Sequence, residues 1–156
     1  MLFRSFELGR LRQAALATLQ LQRALEDLLR QTERTTERAM ALSPAGEAWE
    51  LVPSDTATLQ SLHALLVEGM DTLATQLATG TAPDVDAARA REIRMNAIEV
   101  QTRQELLAQV DRGEEPRAVG LRLNNTDLVN AYENVGNHLY RLHEALAAEV
   151  EQDAAE

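Results

Sequence analysis

Hydrophobic residues recur along the chain in alternating steps of three and four, the spacing of one face of an α-helix. In residues 5–42 the repeating positions run from Leu11 to Leu42 and include Thr18, Thr32 and Thr35. This pattern predicts one long helix with a narrow buried face. The helix should end before the Ser-Pro-Ala-Gly sequence at residues 43–46.

The same spacing and several capping residues predict three further helices. Ser54 is a candidate N-cap for a helix over residues 55–79, and a third helix is predicted over 84–112, with Gly113 just after its end. In the third helix the residues expected to face inward are Ala90, Ile93, Ala97, Val100 and Leu107.

The fourth predicted helix covers residues 116–151 and begins with Pro116, which suits a first helical turn. Its apolar stripe runs from Leu128 to Val150, and the polar residues 124–126 leave a later start near Asp127 as an alternative. Short connectors between long helices favour antiparallel neighbours. The sequence therefore predicts an all-α, antiparallel up-and-down bundle of four long helices in a single domain, residues 1–156, with a three-helix unit at 55–151.

Composition and charge narrow the functional classes. Aromatic residues make up only 3% of the chain and the formal net charge is −10, which opposes nucleic-acid binding. There is no cysteine, so thiolate metal sites and thiol nucleophiles are excluded. The N-terminal residues carry charge and lack the apolar core of a signal peptide, so we expect a cytoplasmic protein.

Catalytic signatures are missing from the sequence. It contains no glycine-rich phosphate loop, no nucleophile elbow and no His-Glu-x-x-His pair. We therefore predict that the chain is not an enzyme.

The most informative stretch is residues 126–144 of the fourth predicted helix. Glu133 and Asn137 are one helical turn apart, and Gly136 lies between them. Glycine inside a helix costs about 1 kcal/mol relative to alanine, so Gly136 calls for a physical reason. Two reasons are open: the close approach of a neighbouring helix, or clearance beside a bound ion.

This stretch resembles the PhoU family, whose third helix carries a pattern like D-L-E-R-I-G-D-H-A-x-N-I-A-E. Glu133, Gly136, His138 and Glu144 fall on matching positions, and Asp127 precedes them. The predicted helices at 55–79, 84–112 and 116–151 have the lengths and order of one PhoU-like three-helix unit. Such units occur in the cytoplasmic C-terminal region of bacterial sodium/phosphate cotransporter-like proteins.

The resemblance implies a regulatory or docking module of bacterial phosphate uptake at the inner face of the membrane. Its partner would be a membrane phosphate transporter or the chain's own transmembrane domain. PhoU proteins bind iron or zinc through paired acidic residues, and Asn137 stands where the family has an aspartate. We therefore expect no cofactor, with iron or zinc at Glu133, His138 and Asp127 as the alternative.

A second function is open from another class. The threonines in the first predicted helix would suit an interface between subunits, so the chain could be a structural or sensory four-helix bundle that forms a homodimer and is unrelated to phosphate. A third alternative is a metal-binding bundle with storage or redox activity.

Overall fold

The computed structural model describes the backbone of residues 2–42 and 53–153 and the side chains of residues 12–41 and 55–148. All regular structure in these ranges is helical. The four helices are α1 (Leu2–Leu42), α2 (Pro53–Thr79), α3 (Val85–Asp111) and α4 (Pro116–Asp153). The predicted all-α bundle of four helices is confirmed. The Ser-Pro-Ala-Gly sequence at residues 43–46 lies outside the described residues.

Capping residues fix the helix ends in the middle of the chain. The side chain of Asp84 accepts a hydrogen bond of 2.9 Å from the backbone N–H of Ala87 and so begins α3. Gly80 and Gly113 follow α2 and α3 with φ of 69° and 67°. Because this left-handed conformation is costly for other residues, both glycines end helices as the sequence suggested for Gly113. Ser54 is a helical residue of α2 rather than a residue before it.

The helix α4 lies at the centre of the bundle and packs closely against the other three, most extensively against α1 and α3. Thr35 of α1 donates to the carbonyl of Asn124 near the start of α4, at 3.5 Å. Arg122, also near the start of α4, lies 3.4 Å from Glu105 near the end of α3. Both α1 and α3 are therefore antiparallel to α4.

The apolar core has two parts, and α4 contributes to both. The larger part joins α1, α2 and α4 and contains Ala17, Ala24, Leu66, Leu73, Val135, Leu139 and Leu142. The smaller part joins α2, α3 and α4 and contains Leu62, Leu65, Met95 and Val129. Hydrophobic burial on this stripe of α4 agrees with the prediction from Leu128 onward, and Val150 has no described side chain.

The predicted inward face of α3 is wrong. Its five residues, Ala90, Ile93, Ala97, Val100 and Leu107, are all exposed and form one line along the helix, which we call the α3 stripe. The exposed fraction of the three large side chains is 55% for Ile93, 47% for Val100 and 58% for Leu107. The buried residues are instead Ala88, Met95, Glu99, Thr102 and Leu106.

The polar residues that the sequence pattern singled out in α1 and α4 also differ from expectation in their burial. The helix α4 begins at Pro116, and Asn124, Asn125 and Thr126 are buried within it rather than marking a late start. In α1 only Thr35 of the three predicted seam threonines is buried; Thr18 and Thr32 are exposed. The hydroxyls of Thr18 and Thr32 donate to backbone carbonyls one turn earlier, each at 2.9 Å, which satisfies them without a partner helix.

Candidate functional site

The three side chains predicted as metal ligands are held by different neighbours. Asp127 lies 3.4 Å from the guanidinium of Arg38 on α1, whereas Glu133 accepts a hydrogen bond of 2.5 Å from Asn137. Nδ1 of His138 is buried without a hydrogen-bond partner among the described residues. Within this part of the chain, no three His, Cys, Asp or Glu side chains form a group that could hold a metal ion. The structure does not bring Asp127, Glu133 and His138 together.

Glu133 lies at the interface between α4 and α3. Burial raises the pKa of its carboxyl above the ordinary 4.5, the hydrogen bond from Asn137 opposes that shift, and the nearby Glu99 adds to it. Glu99 is itself buried on α3, where it is paired with Arg103. Two carboxyl groups thus meet in the interface between these helices, each with a partner on its own helix.

Gly136 provides the space that α3 needs at this interface. A Cβ atom on Gly136 would lie 2.6 Å from Sδ and 3.0 Å from Cε of Met95, well inside van der Waals contact. Met95 is buried, with 2% of its surface exposed. Of the two reasons left open for Gly136, the structure supports the close approach of a neighbouring helix.

A second polar cluster lies near the start of α4, where this helix contacts the start of α2. Arg122 forms an ion pair of 2.9 Å with Asp55, and the two side chains are only 15% and 7% exposed. Asn125 is buried, and neither its side-chain oxygen nor its nitrogen has a hydrogen-bond partner among the described residues. Sequence periodicity assigns polar residues to the surface, so this cluster could be found only by noticing four successive polar residues in a helix.

His143 of α4 is a buried titratable group. It has no exposed surface, and its Nδ1 donates to the carbonyl of Leu139 at 2.9 Å. Burial lowers the pKa of its ring below the ordinary value, and the positive charge of Arg91 on α3 lowers it further. The side chain of Arg91 is 11% exposed and lies 3.5 Å from Glu68 of α2.

A groove lies between α2 and α3, outside these interfaces. It has a volume of about 530 Å³, and the apolar residues of its lining are Ala64, Leu65, Ala97 and Ile98. Glu68 and Arg94 lie at its edge. Because Ala97 belongs to both the groove and the α3 stripe, the two features adjoin.

Comparison with known proteins finds no family model, no curated protein and no solved structure that matches this chain. Among the described residues, none of the helices combines the length and apolar character needed to cross a bilayer. The bundle itself offers three features for a proposal about function. They are the polar contact of α4 with α3 at Glu133, the polar contact of α4 with α2 at Arg122, and the α3 stripe.

Proposed function

We propose that this chain is a non-catalytic assembly and docking module of bacterial phosphate uptake, and that it binds protein through the α3 stripe. The observation that carries the proposal is the reversed amphipathicity of α3. Glu99 and Thr102 are buried on this helix while Ile93, Val100 and Leu107 are exposed. A contiguous apolar stripe on a surface is typical of a protein-binding face, whereas single exposed apolar residues are common everywhere.

The burial of Glu99 and Thr102 supports the same proposal. Each has a partner on its own helix. Glu99 forms an ion pair with Arg103, and the hydroxyl of Thr102 donates to the carbonyl of Ile98 at 2.9 Å. The helix can therefore bury these two polar residues beside Met95 and Leu106 at little cost, which leaves the α3 stripe outward. An isolated bundle would gain stability from burying that face, so its exposure favours a partner.

The link to phosphate uptake is supported by the sequence resemblance of residues 126–144 to the PhoU family. Under this proposal the bundle is located at the inner face of the membrane and acts on a phosphate transporter or on the chain's own transmembrane domain. Binding would regulate uptake if the module has unequal affinity for two transporter conformations, because only differential binding shifts such an equilibrium.

The test is phosphate uptake by cells that carry Leu107→Glu in the native gene. We expect reduced uptake or an altered response to external phosphate, comparable to deletion of residues 55–150. The matched control is Leu29→Glu on α1, which makes the same chemical change at a residue 63% exposed, against 58% for Leu107. Normal uptake and a normal phosphate response in both the Leu107→Glu strain and the deletion strain would refute the proposal.

A further inference from the structure

We infer that the α3 stripe binds the same stripe on a second copy of this chain, with the two α3 helices antiparallel about a two-fold axis. The inference rests on the proposed function only in treating the stripe as a protein-binding face. From Ala90 to Leu107 the stripe advances by three and four residues in alternation, with Gln104 as its one polar position. This is the repeat of a two-stranded coiled coil, about 26 Å long at 1.5 Å per residue.

The sizes of the stripe residues are complementary in an antiparallel pair. The first position of each repeat is small, Ala90 and Ala97, and the second is large, Ile93, Val100 and Leu107. Antiparallel helices place a first position opposite a second position of the partner. Ala97 would therefore face Val100 of the second copy, Ala90 would face Leu107, and Ile93 would face Gln104.

The layers of Ala97 with Val100 and of Ala90 with Leu107 then each join one small and one large side chain, whereas the layer of Ile93 with Gln104 joins two long ones. A parallel pair would place alanine on alanine and large residue on large residue in alternate layers. Such a pair would leave gaps at the alanines, and gaps forfeit packing energy. The size pattern therefore favours the antiparallel orientation.

The charges beside the stripe favour the same orientation. In the antiparallel pair Arg94 lies next to Glu105 of the second copy, and Arg103 lies next to its Glu92. Arg94 makes no ion pair within the described part of the chain. Glu105 and Arg103 each have a partner in their own chain, Arg122 and Glu99, but both side chains are largely exposed, at 48% and 59%, and can also face a second copy. A parallel pair would instead oppose Arg89 and Arg94 across the interface, and like charges at flanking positions disfavour an orientation.

The groove between α2 and α3 gives the contact additional depth. Its lining includes Ala97, which together with Val100 flanks the proposed two-fold axis, and Ala64 of α2. The side chain of Val100 from the second copy would enter at this edge. Because a two-fold contact uses the same patch on both copies, each groove receives one such side chain.

Another class of occupant would be an acidic amphipathic helix of a different protein, since Arg89 and Arg94 flank the stripe. A second copy is the better fit because the apolar layers and the charges are complementary within one sequence. The net charge of −10 on each copy opposes association in general, so a dimer depends on this local match. The short contact predicts a reversible dimer.

The first measurement is the mass of the purified 156-residue chain in solution over a wide range of concentrations. We expect a concentration-dependent dimer, and we expect Leu107→Glu to weaken it by about tenfold or more, because the charge would be buried against an alanine. Leu29→Glu should dimerise like the unaltered chain. Both variants change exposed residues, so unfolding midpoints near that of the unaltered chain will show that the fold is intact.

The second measurement uses a thiol crosslinker, which is practical because the chain contains no cysteine. A mixture of the Ala90→Cys and Leu107→Cys variants should form a crosslinked dimer, whereas neither variant alone should do so. A crosslink in Ala90→Cys alone would show parallel helices and overturn the inference.

The solution measurements test self-association, and the uptake assay tests the role in phosphate uptake, so either proposal can be refuted without the other. A chain that stays monomeric at all concentrations, together with impaired uptake by Leu107→Glu, would refute self-association and leave the docking function with another protein as the occupant. A dimer with the mixed crosslink but normal uptake in the Leu107→Glu strain and the deletion strain would support self-association and refute the role in phosphate uptake.

Discussion

The helix α4 has two long interfaces of different chemistry. On the α1 side, Ala17 and Ala24 pack with Val135 and Leu142 in an aliphatic core. On the α3 side, the buried groups include two carboxyl groups, Glu99 and the half-buried Glu133, together with a threonine hydroxyl. The first interface is held by the hydrophobic effect, and the second depends on paired polar groups and on the fit of Met95 to Gly136.

This difference explains why the apolar α3 stripe is not buried in the bundle. An aliphatic interface needs the most apolar face of its helix, whereas a polar interface with local hydrogen bonds does not. The helix α3 therefore packs on α4 through a face that mixes polar and apolar residues, and keeps the α3 stripe for another contact. The comparison predicts that the two interfaces respond differently to loss of volume, to added volume and to pH.

The largest expected effect is a loss of volume on the α1 side. Leu142 is 7% exposed and belongs to the larger core cluster. We expect Leu142→Ala to lower the free energy of unfolding by about 2–5 kcal/mol, because buried leucine truncation loses transfer energy and leaves a cavity. Urea unfolding measures this change, and Leu29→Ala at the exposed surface should change it by less than about 0.5 kcal/mol.

A smaller loss is expected when volume is added on the α3 side. Gly136→Ala gains about 1 kcal/mol of helix propensity, but its Cβ would lie 2.6 Å from Sδ of Met95. Overpacking of this kind costs typically about 1–3 kcal/mol, so we expect a net destabilisation of about 1 kcal/mol. Equal or greater stability of the variant would show that Met95 moves aside freely and that the fit is loose.

The double variant Gly136→Ala with Met95→Ala sharpens this test. Removing the long side chain should make the added methyl group harmless, so the cost of Gly136→Ala should be smaller in the Met95→Ala background. A double-mutant cycle on urea unfolding energies isolates this coupling, since the two residues are in contact. Additive costs would argue against the contact.

The bundle and the stripe of α4 could be predicted from sequence because they depend on spacing alone. Leu128, Val135, Leu139 and Leu142 repeat at helical intervals in a segment where the buried face is also the most apolar face. The helix ends followed from single residues with strong local preferences, as at Gly113. In these regions local pattern and tertiary packing favour the same structure.

The face of α3 could not be predicted in this way because its two faces compete. Ile93, Val100 and Leu107 form the better apolar line, yet the helix turns Met95, Glu99 and Thr102 toward α4. That choice depends on the notch at Gly136 and on the pairing of Glu99 with Arg103, which are properties of the assembled bundle. The buried pair of Arg122 and Asp55 was missed for the same reason, since no spacing in the sequence links the two residues.

A pH-dependent effect is expected on the α3 side, where His143 is buried near Arg91 and Asp84. Burial lowers the pKa of His143 in the folded chain below the ordinary 6.5, so the unfolded chain takes up the proton first on acidification. The stability that depends on the neutral ring is complete above pH 6.5 and is lost as the pH falls below that value. Urea unfolding across this window should show a decline that is weaker in His143→Gln and unchanged in His63→Gln, a histidine on the exposed surface of α2. An identical decline in both variants would assign the pH dependence to other groups.

The smallest expected effect has the opposite sign and also belongs to the α3 side. Burial raises the pKa of Glu133 above 4.5, so its charged form destabilises the fold at neutral pH, and protonation on acidification relieves the penalty. Glu133→Gln removes the charge, and its side-chain oxygen can still accept the hydrogen bond from Asn137. We expect a modest gain in the urea midpoint at neutral pH that disappears below pH 4.5, where the glutamate is protonated in both the folded and the unfolded chain.

Glu37→Gln changes the net charge equally on the exposed surface of α1 and should leave the midpoint unchanged. A gain of equal size from Glu37→Gln would mean that the total negative charge of the chain, rather than the polar interface between α3 and α4, limits stability.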